Sequence, residues 1–325
     1  MRESAALPAR APARGDPRAR MLADVRDGLF RPGQKELPPT YFYDARGSRL
    51  FDEITRLPEY YPTRAERALL LRCAPDIIPL TAARSLAELG AGTADKSRIL
   101  LRELTRNGAA QYFPIDVDAE TLSRTAAALR LEFPGLEVNP VVADMRDEVA
   151  ASGPRHPLLY AFLGSTIGNF DEPSAQLLLR RIRQSLRPTD RLLIGMDLVK
   201  NAAVLEAAYN DSRGVTAEFN LNVLRVLNRE IAADFVIEAY RHLAFYDVER
   251  ARIEMHLVAD STQAVRIPSL GTVTLAAGES IRTEISCKYD RTTAAALLQS
   301  AGFHLTDWLV DADPLFALAL AEPSA

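Results

Sequence analysis

Apolar and polar positions fall into alternating blocks along this chain, and from Ser85 onward the blocks read strand, helix, strand, helix. Ser85–Leu89 is a short apolar strand that runs into Gly90-Ala91-Gly92, and a polar, helix-forming stretch over 95–104 follows. A second strand is predicted over 111–115, ending at Asp116-Val117-Asp118, with a helix over 119–131. A third covers 137–142 and ends at Ala143-Asp144. A fourth, 158–163, opens into Gly164-Ser165-Thr166-Ile167-Gly168-Asn169-Phe170. A helix over 174–185 and a turn at 187–190 lead to a fifth strand, 191–196. The alternation predicts a parallel sheet with crossover helices, and each loop just named follows the C-terminal end of a strand, where such sheets bind ligands.

After Lys200 the rhythm changes. Helices are predicted over 202–209 and 215–228, then strands over 238–245, 252–258, 271–275 and 280–287. A helix at 292–301 and strands at 304–310 and 315–320 restore the first pattern. One nucleotide-binding domain interrupted by a small inserted α+β subdomain accounts for this order. Ahead of Ser85, a run holding Tyr41, Phe42, Tyr43, Phe51, Tyr60 and Tyr61 is unusually aromatic for a chain only 7% aromatic overall. It predicts a helical arm that joins the insertion and covers the sheet edge.

Composition narrows the class. Among 325 residues, 48% are hydrophobic and 25% charged, as in globular proteins, so ample core is available. The net charge of −4 and the lack of any basic-aromatic stripe argue against a nucleic-acid partner. Cys73 and Cys287 are far apart and lack metal-ligand spacing, which points to a reducing, cytoplasmic setting. No apolar run approaches the ~20 residues of a membrane span. The first residues, rich in Arg, Pro and Ala, lack the apolar centre of a signal peptide and read as a disordered tail over 1–21.

Strand, glycine turn and helix make room for a nucleotide-like ligand. The glycines let the backbone turn tightly and approach it, and the helix start offers free N–H groups. A dinucleotide fingerprint G-x-G-x-x-G would set its third glycine where Asp95 stands, and that carboxylate would face a pyrophosphate. A ligand without phosphates fits better. S-adenosylmethionine (SAM) is one, and Glu88 and Lys96 offer partners to its zwitterionic end. Asp116, ending the second strand, suits the two hydroxyls of an adenosine ribose, a geometry that NAD and SAM share. Asp144 would lie near the adenine amino group with Met145 against the ring, whereas Asp118 reads as a helix cap. Asn169 stands where the reacting group meets the cofactor; its amide would orient an amine and a carboxylate together, with a plain turn residue as the competing reading.

Longer strings carry a resemblance: Y-F-Y-D-A-R-G-S from Tyr41, I-T-R-L-P-E-Y-Y-P-T-R from Ile54 and A-E-L-G-A-G-T-A-D-K from Ala87. Further on stand F-L-G-S-T-I-G-N from Phe162, D-L-V-K from Asp197, G-V-T-A-E-F-N-L-N-V-L from Gly214, R-I-E-M from Arg252 and T-E-I-S-C-K-Y from Thr283. From about Leu37 almost to its end, the chain resembles the L-histidine Nα-methyltransferases of ergothioneine biosynthesis, SAM-dependent enzymes that turn histidine into its trimethyl betaine, hercynine. The resemblance implies an α/β fold: a class I, Rossmann-like methyltransferase domain over 61–200 and 287–325. A substrate-binding subdomain would take in 201–286 and the arm 22–60. It also implies that Gly90, Lys96, Asp116 and Asp144 bind SAM, with Lys96 on the methionyl carboxylate. Tyr60, Asn169 and Tyr209 would hold the amino-acid end of histidine. Glu284 and Ser286 would bind the imidazole, Met255 would line its pocket, and Tyr43 would sit near the amine being methylated. Tyr41 stands where some relatives have tryptophan, and Met145 where an aromatic ring is expected near adenine.

The chemistry of these residues agrees with that assignment. Imidazole has two nitrogens, which one carboxylate and one hydroxyl satisfy, and residues two apart on a strand share a face. An indole or phenol would leave that pair partly unsatisfied, at about 1–3 kcal/mol per buried group. Three other readings compete: an N-methyltransferase for tryptophan or tyrosine, a SAM-sensing module without activity, and a nicotinamide dehydrogenase. Glu284, Ser286 and Met255 oppose the first, the intact acceptor pocket the second, and Asp95 with the missing third glycine the third. The four histidines show no ligand spacing, so no metal is expected. The expectation is a cytoplasmic monomer acting on L-histidine, with no membrane or nucleic-acid partner.

Overall fold

A computed structural model describes residues 16–106, 108, 110–145 and 149–324. Eight strands form the main sheet: β1 (Ser85–Leu89), β2 (Ala110–Asp116), β3 (Leu136–Val138), β4 (Val141–Val142), β5 (Leu158–Phe162), β6 (Arg191–Asp197), β7 (Phe303–Val310) and β8 (Phe316–Pro323). Their order is β7-β8-β6-β5-β1-β2-β3, with β4 also on β2. All pairs from β6 to β4 are parallel, and β8 lies antiparallel between β6 and β7. This is the Rossmann-like arrangement of class I SAM-dependent methyltransferases that the resemblance implies.

The strands β1 and β5 are buried along their whole length, as parallel strands covered on both faces must be. Leu86, Tyr112, Leu159, Ala161 and Leu193 face a layer built from the helices Pro62–Thr81 and Ser97–Arg106. Their neighbours Ala87, Phe113, Tyr160, Phe162 and Ile194 face the helices Glu172–Ser185 and Arg291–Ser300. The chain leaves β1 for β2 on one side and later returns to β5 on the other, so a crevice opens beyond the ends of β1 and β5. The third predicted strand is split at Asn139-Pro140. Val138 pairs with Tyr112 and Val141 with Ile115, so the register carries across while Pro140, lacking an N–H, interrupts the ladder.

Two compact units divide the chain. The sheet unit comprises 52–214, 244–254 and 285–325; the second comprises the segments up to 51, 215–243 and 255–284. The partition therefore differs from the expected one: 52–60, 201–214, 244–254 and 285–286 group with the sheet. The second unit holds the helices Pro17–Leu29 and Val215–Ile231, the helix Ala45–Ile54 as far as Phe51, strand segments that include Met255 and Glu284, and the hairpin Gln263–Ile267 with Gly271–Leu275. The first strand of that hairpin escaped the sequence reading. The expected tail over 1–21 is corrected at its end: Asp16 caps a helix that starts at Pro17 and buries Met21, Val25 and Leu29. Residues 1–15 of that tail lie outside the described residues. The aromatic run also divides. Phe42, Tyr43 and Phe51 gather on Phe219 in the second unit, whereas Tyr60 and Tyr61 belong to the sheet unit.

Candidate active site

The loop after β1 is pinned to its neighbour. Gly90 and Ala91 donate to the Ile115 carbonyl at 2.8 and 3.2 Å, and Gly92 donates to Asp116 Oδ2 at 3.0 Å. Gly90 (φ 72°) and Gly92 (φ 48°) take the left-handed backbone that this turn needs. Asp116 thus buttresses the loop and still has acceptor capacity, since each carboxylate oxygen accepts more than one hydrogen bond. Asp144 is half-buried just past β4, and Met145 Cε lies 3.9 Å from where a Gly90 side chain would begin. Asp118 caps the helix Ala119–Glu132, accepting from the Glu120 and Thr121 amides at 3.0 Å each, as expected.

Lys96 joins this loop to the one after β5 through a residue that sequence reasoning missed. Its ammonium is paired with Glu66 on the helix Pro62–Thr81, whose carboxylate is wholly buried. The other Glu66 oxygen accepts from the Gly164 amide at 2.7 Å. Gly195 on β6 makes room: a Cβ there would fall 2.0 Å from Glu66 Oε1. The signal was available, because Glu66 occupies the apolar stripe of its helix with Leu69, Leu70 and Cys73. Glu88, expected as a partner for the ammonium of SAM, is committed elsewhere. It is 4% exposed and bonded by Ser97 and Tyr112. Burial pushes its carboxyl up to about 7, against the hydrogen bonds of Ser97 and Tyr112 and the charge of Lys96.

The acceptor loop turns at Gly164 (φ 82°) and Ser165 (φ 56°) into a 3-10 turn, Thr166–Asn169, which ends at the half-buried Asn169. Gly168 packs on Cys287, where a Cβ would stand 2.7 Å from the carbonyl oxygen. Next to this contact is a buried polar network. Asp197, at the end of β6, accepts from Tyr61 at 2.8 Å, Lys200 at 2.5 Å and Lys288 at 2.8 Å. Burial alone would raise the Asp197 carboxyl, yet the Lys288 and Lys200 ammoniums hold it below its ordinary value. Burial and the Asp197 charge push the Tyr61 phenol far above its ordinary value. Tyr209 donates to Ser286 Oγ at 2.9 Å and meets Tyr60 edge to face at 6.2 Å between centroids. The structure therefore places Tyr209, expected at the amino-acid end of the substrate, beside Ser286, expected at its ring. Asp197, Lys200 and Lys288 were visible only as parts of D-L-V-K and S-C-K-Y.

The remaining expected residues lie in the second unit. Tyr43 is 45% exposed and packs edge-on against Phe51 and Phe219. Met255 is buried and its carbonyl accepts from Thr283 at 3.1 Å; Glu284 is half-buried on the strand Ser280–Cys287. Among the described residues, no group of three His, Cys, Asp or Glu is placed to hold a metal ion. No described helix is long and apolar enough to cross a membrane.

Comparison with known proteins identifies the family. A histidine N-alpha-methyltransferase of Mycobacterium tuberculosis is 46% identical over 92% of this chain and 93% of its own length. One from Mycolicibacterium smegmatis is 44% identical over the same shares. Ergothioneine biosynthesis protein 1 of Neurospora crassa is 32% identical over 86% of this chain and 33% of its own length. A family described as "Histidine-specific methyltransferase, SAM-dependent" matches residues 21–323. The chain belongs to this family of SAM-dependent, histidine-specific methyltransferases.

Proposed function

We propose that this protein methylates the α-amino group of L-histidine three times, with SAM as methyl donor, to give hercynine in ergothioneine biosynthesis. The observation that carries the reading is the 46% identity to a histidine N-alpha-methyltransferase across nearly the whole chain. The donor set at the switch point fits SAM: an ammonium, Lys96, for a carboxylate, and a carboxylate, Asp116, for a ribose diol. When bound, SAM supplies an electrophilic methyl group on sulfur.

The residues of the chain have the rest of the work. Asn169, Tyr60 and Tyr209 hold the amino-acid end, and Tyr43 orients the amine. Glu284 and Ser286 read the imidazole, Met255 lines its pocket, and Gly90, Lys96, Asp116 and Asp144 hold SAM. The amine is protonated at neutral pH and must lose a proton before an in-line transfer, so the site must orient it and exclude water. The reading assigns a monomer working in the cytoplasm, in keeping with the free thiols of Cys73 and Cys287.

Incubation with SAM and each of the twenty amino acids, followed by mass spectrometry, tests it. Gain of three methyl groups confined to histidine is the expected result. Activity only on an aromatic amino acid, or on none, overturns it.

A further inference from the structure

Lys288 has no part in the reading above, yet it touches two of that reading's residues. Its side chain is wholly buried, and its ammonium donates to Ser286 Oγ at 2.8 Å and to the Tyr209 hydroxyl at 3.3 Å. Asp197 Oδ2 anchors it at 2.8 Å. An ammonium is a donor only. Tyr209 in turn donates to Ser286 Oγ, since a phenol is a stronger acid than an aliphatic hydroxyl. Both acceptor positions of Ser286 are then filled, and what the hydroxyl has left to offer is its own proton.

We propose that Lys288, anchored by Asp197, is a specificity-determining positioning residue that makes Ser286 a donor only, so that the site selects a substrate ring with an unprotonated, pyridine-type nitrogen. The inference rests on the reading that Ser286 faces the substrate ring. A hydroxyl that can only donate suits a bare ring nitrogen, which neutral imidazole offers. Indole offers an N–H alone, so its rejection follows from the direction of one hydrogen bond rather than from pocket size.

The test compares kcat/KM for L-histidine with that for a pyrrolylalanine, which keeps an N–H but has C–H in place of the acceptor nitrogen. The unmodified enzyme should favour histidine by about tenfold or more. In Lys288→Met the preference should shrink to about threefold or less, chiefly through KM for histidine, with SAM affinity within about twofold of the parent. Should Lys288→Met fail to bind SAM, Asp197→Asn/Lys200→Met/Lys288→Met removes the three buried charges of this network together and takes its place. An undiminished preference in a SAM-binding Lys288 variant overturns the inference. Ser286→Ala separates the two levels: it should also abolish the preference. A preference that survives Ser286→Ala, or that the parent enzyme lacks, overturns the reading of Ser286 itself.

Discussion

Glu66 and Lys96 form an ion pair in which the carboxylate is wholly buried while the ammonium side chain is 25% exposed. The exposed half of the pair is the one available to a ligand, and the buried half fixes where it stands. Because Glu66 also takes the Gly164 amide, one carboxylate sets the spacing between the glycine loop and the acceptor loop.

Removing Lys96 therefore has two separable effects. Lys96→Met leaves a buried carboxylate without its counter-charge, which should destabilise the fold by about 3 kcal/mol in urea unfolding. It also deletes the proposed partner of the methionyl carboxylate, so SAM affinity measured by calorimetry should fall at least about tenfold. Stability loss with unchanged SAM affinity would restrict Lys96 to a structural part.

Gly195 supplies the room that Glu66 needs. A methyl group at 195 would overlap Glu66 Oε1 and press on the Phe316 ring, 3.1 Å away. Gly195→Ala should destabilise by about 1–3 kcal/mol, as overpacking does. Most of that loss should vanish in a Glu66→Ala background, giving a coupling of about 1 kcal/mol or more in the double-mutant cycle. Strict additivity would show that Phe316, not Glu66, is the constraint.

What was legible in the sequence follows from the range of each interaction. The sheet could be read because burial on both faces writes continuous apolar runs, and the glycine loop because its turn demands particular residues. Asp116 and Asp118 could be told apart because one ends a strand and the other precedes a helix. Glu66 could not be linked to Gly195 and Gly164, nor Asp197 to Lys288, because those pairs meet only after the chain crosses the sheet several times. Lys288 looked like any strand-end lysine; its significance lies in the carboxylate that it meets. The start of the first helix was missed for a local reason, since Asp16-Pro17 is a cap-and-proline signal inside an Arg/Pro-rich stretch.

Glu88 gives a pH signature. Burial raises its carboxyl from 4.5 in the unfolded chain to about 7 in the fold. The folded protein keeps a proton that the unfolded chain has lost across that interval. The stabilising contribution is thus fully present below pH 4.5 and is lost as pH rises through about 7. Glu88→Gln mimics the protonated form at every pH. Relative to this variant, the parent protein should lose about 3 kcal/mol between those limits, read from urea unfolding at a series of pH values. Parallel stability curves for the two proteins would refute the buried protonated carboxyl.

Glu284 is where substrate identity is proposed to be decided, and its substitution should separate the two ligands. A carboxylate that accepts an imidazole N–H makes a charge-assisted hydrogen bond worth about 1.5–3 kcal/mol. Glu284→Ala should therefore raise KM for histidine roughly 10- to 150-fold, while the Kd for SAM stays within about twofold. Because the ring lies away from the reacting nitrogen, kcat at saturating histidine should fall less than KM rises. Glu284→Gln keeps the acceptor oxygen without the charge, and should recover part of the loss in proportion to a neutral hydrogen bond. Equal weakening of both ligands by Glu284→Ala would mean that the residue supports the fold of its strand rather than the ring of the substrate.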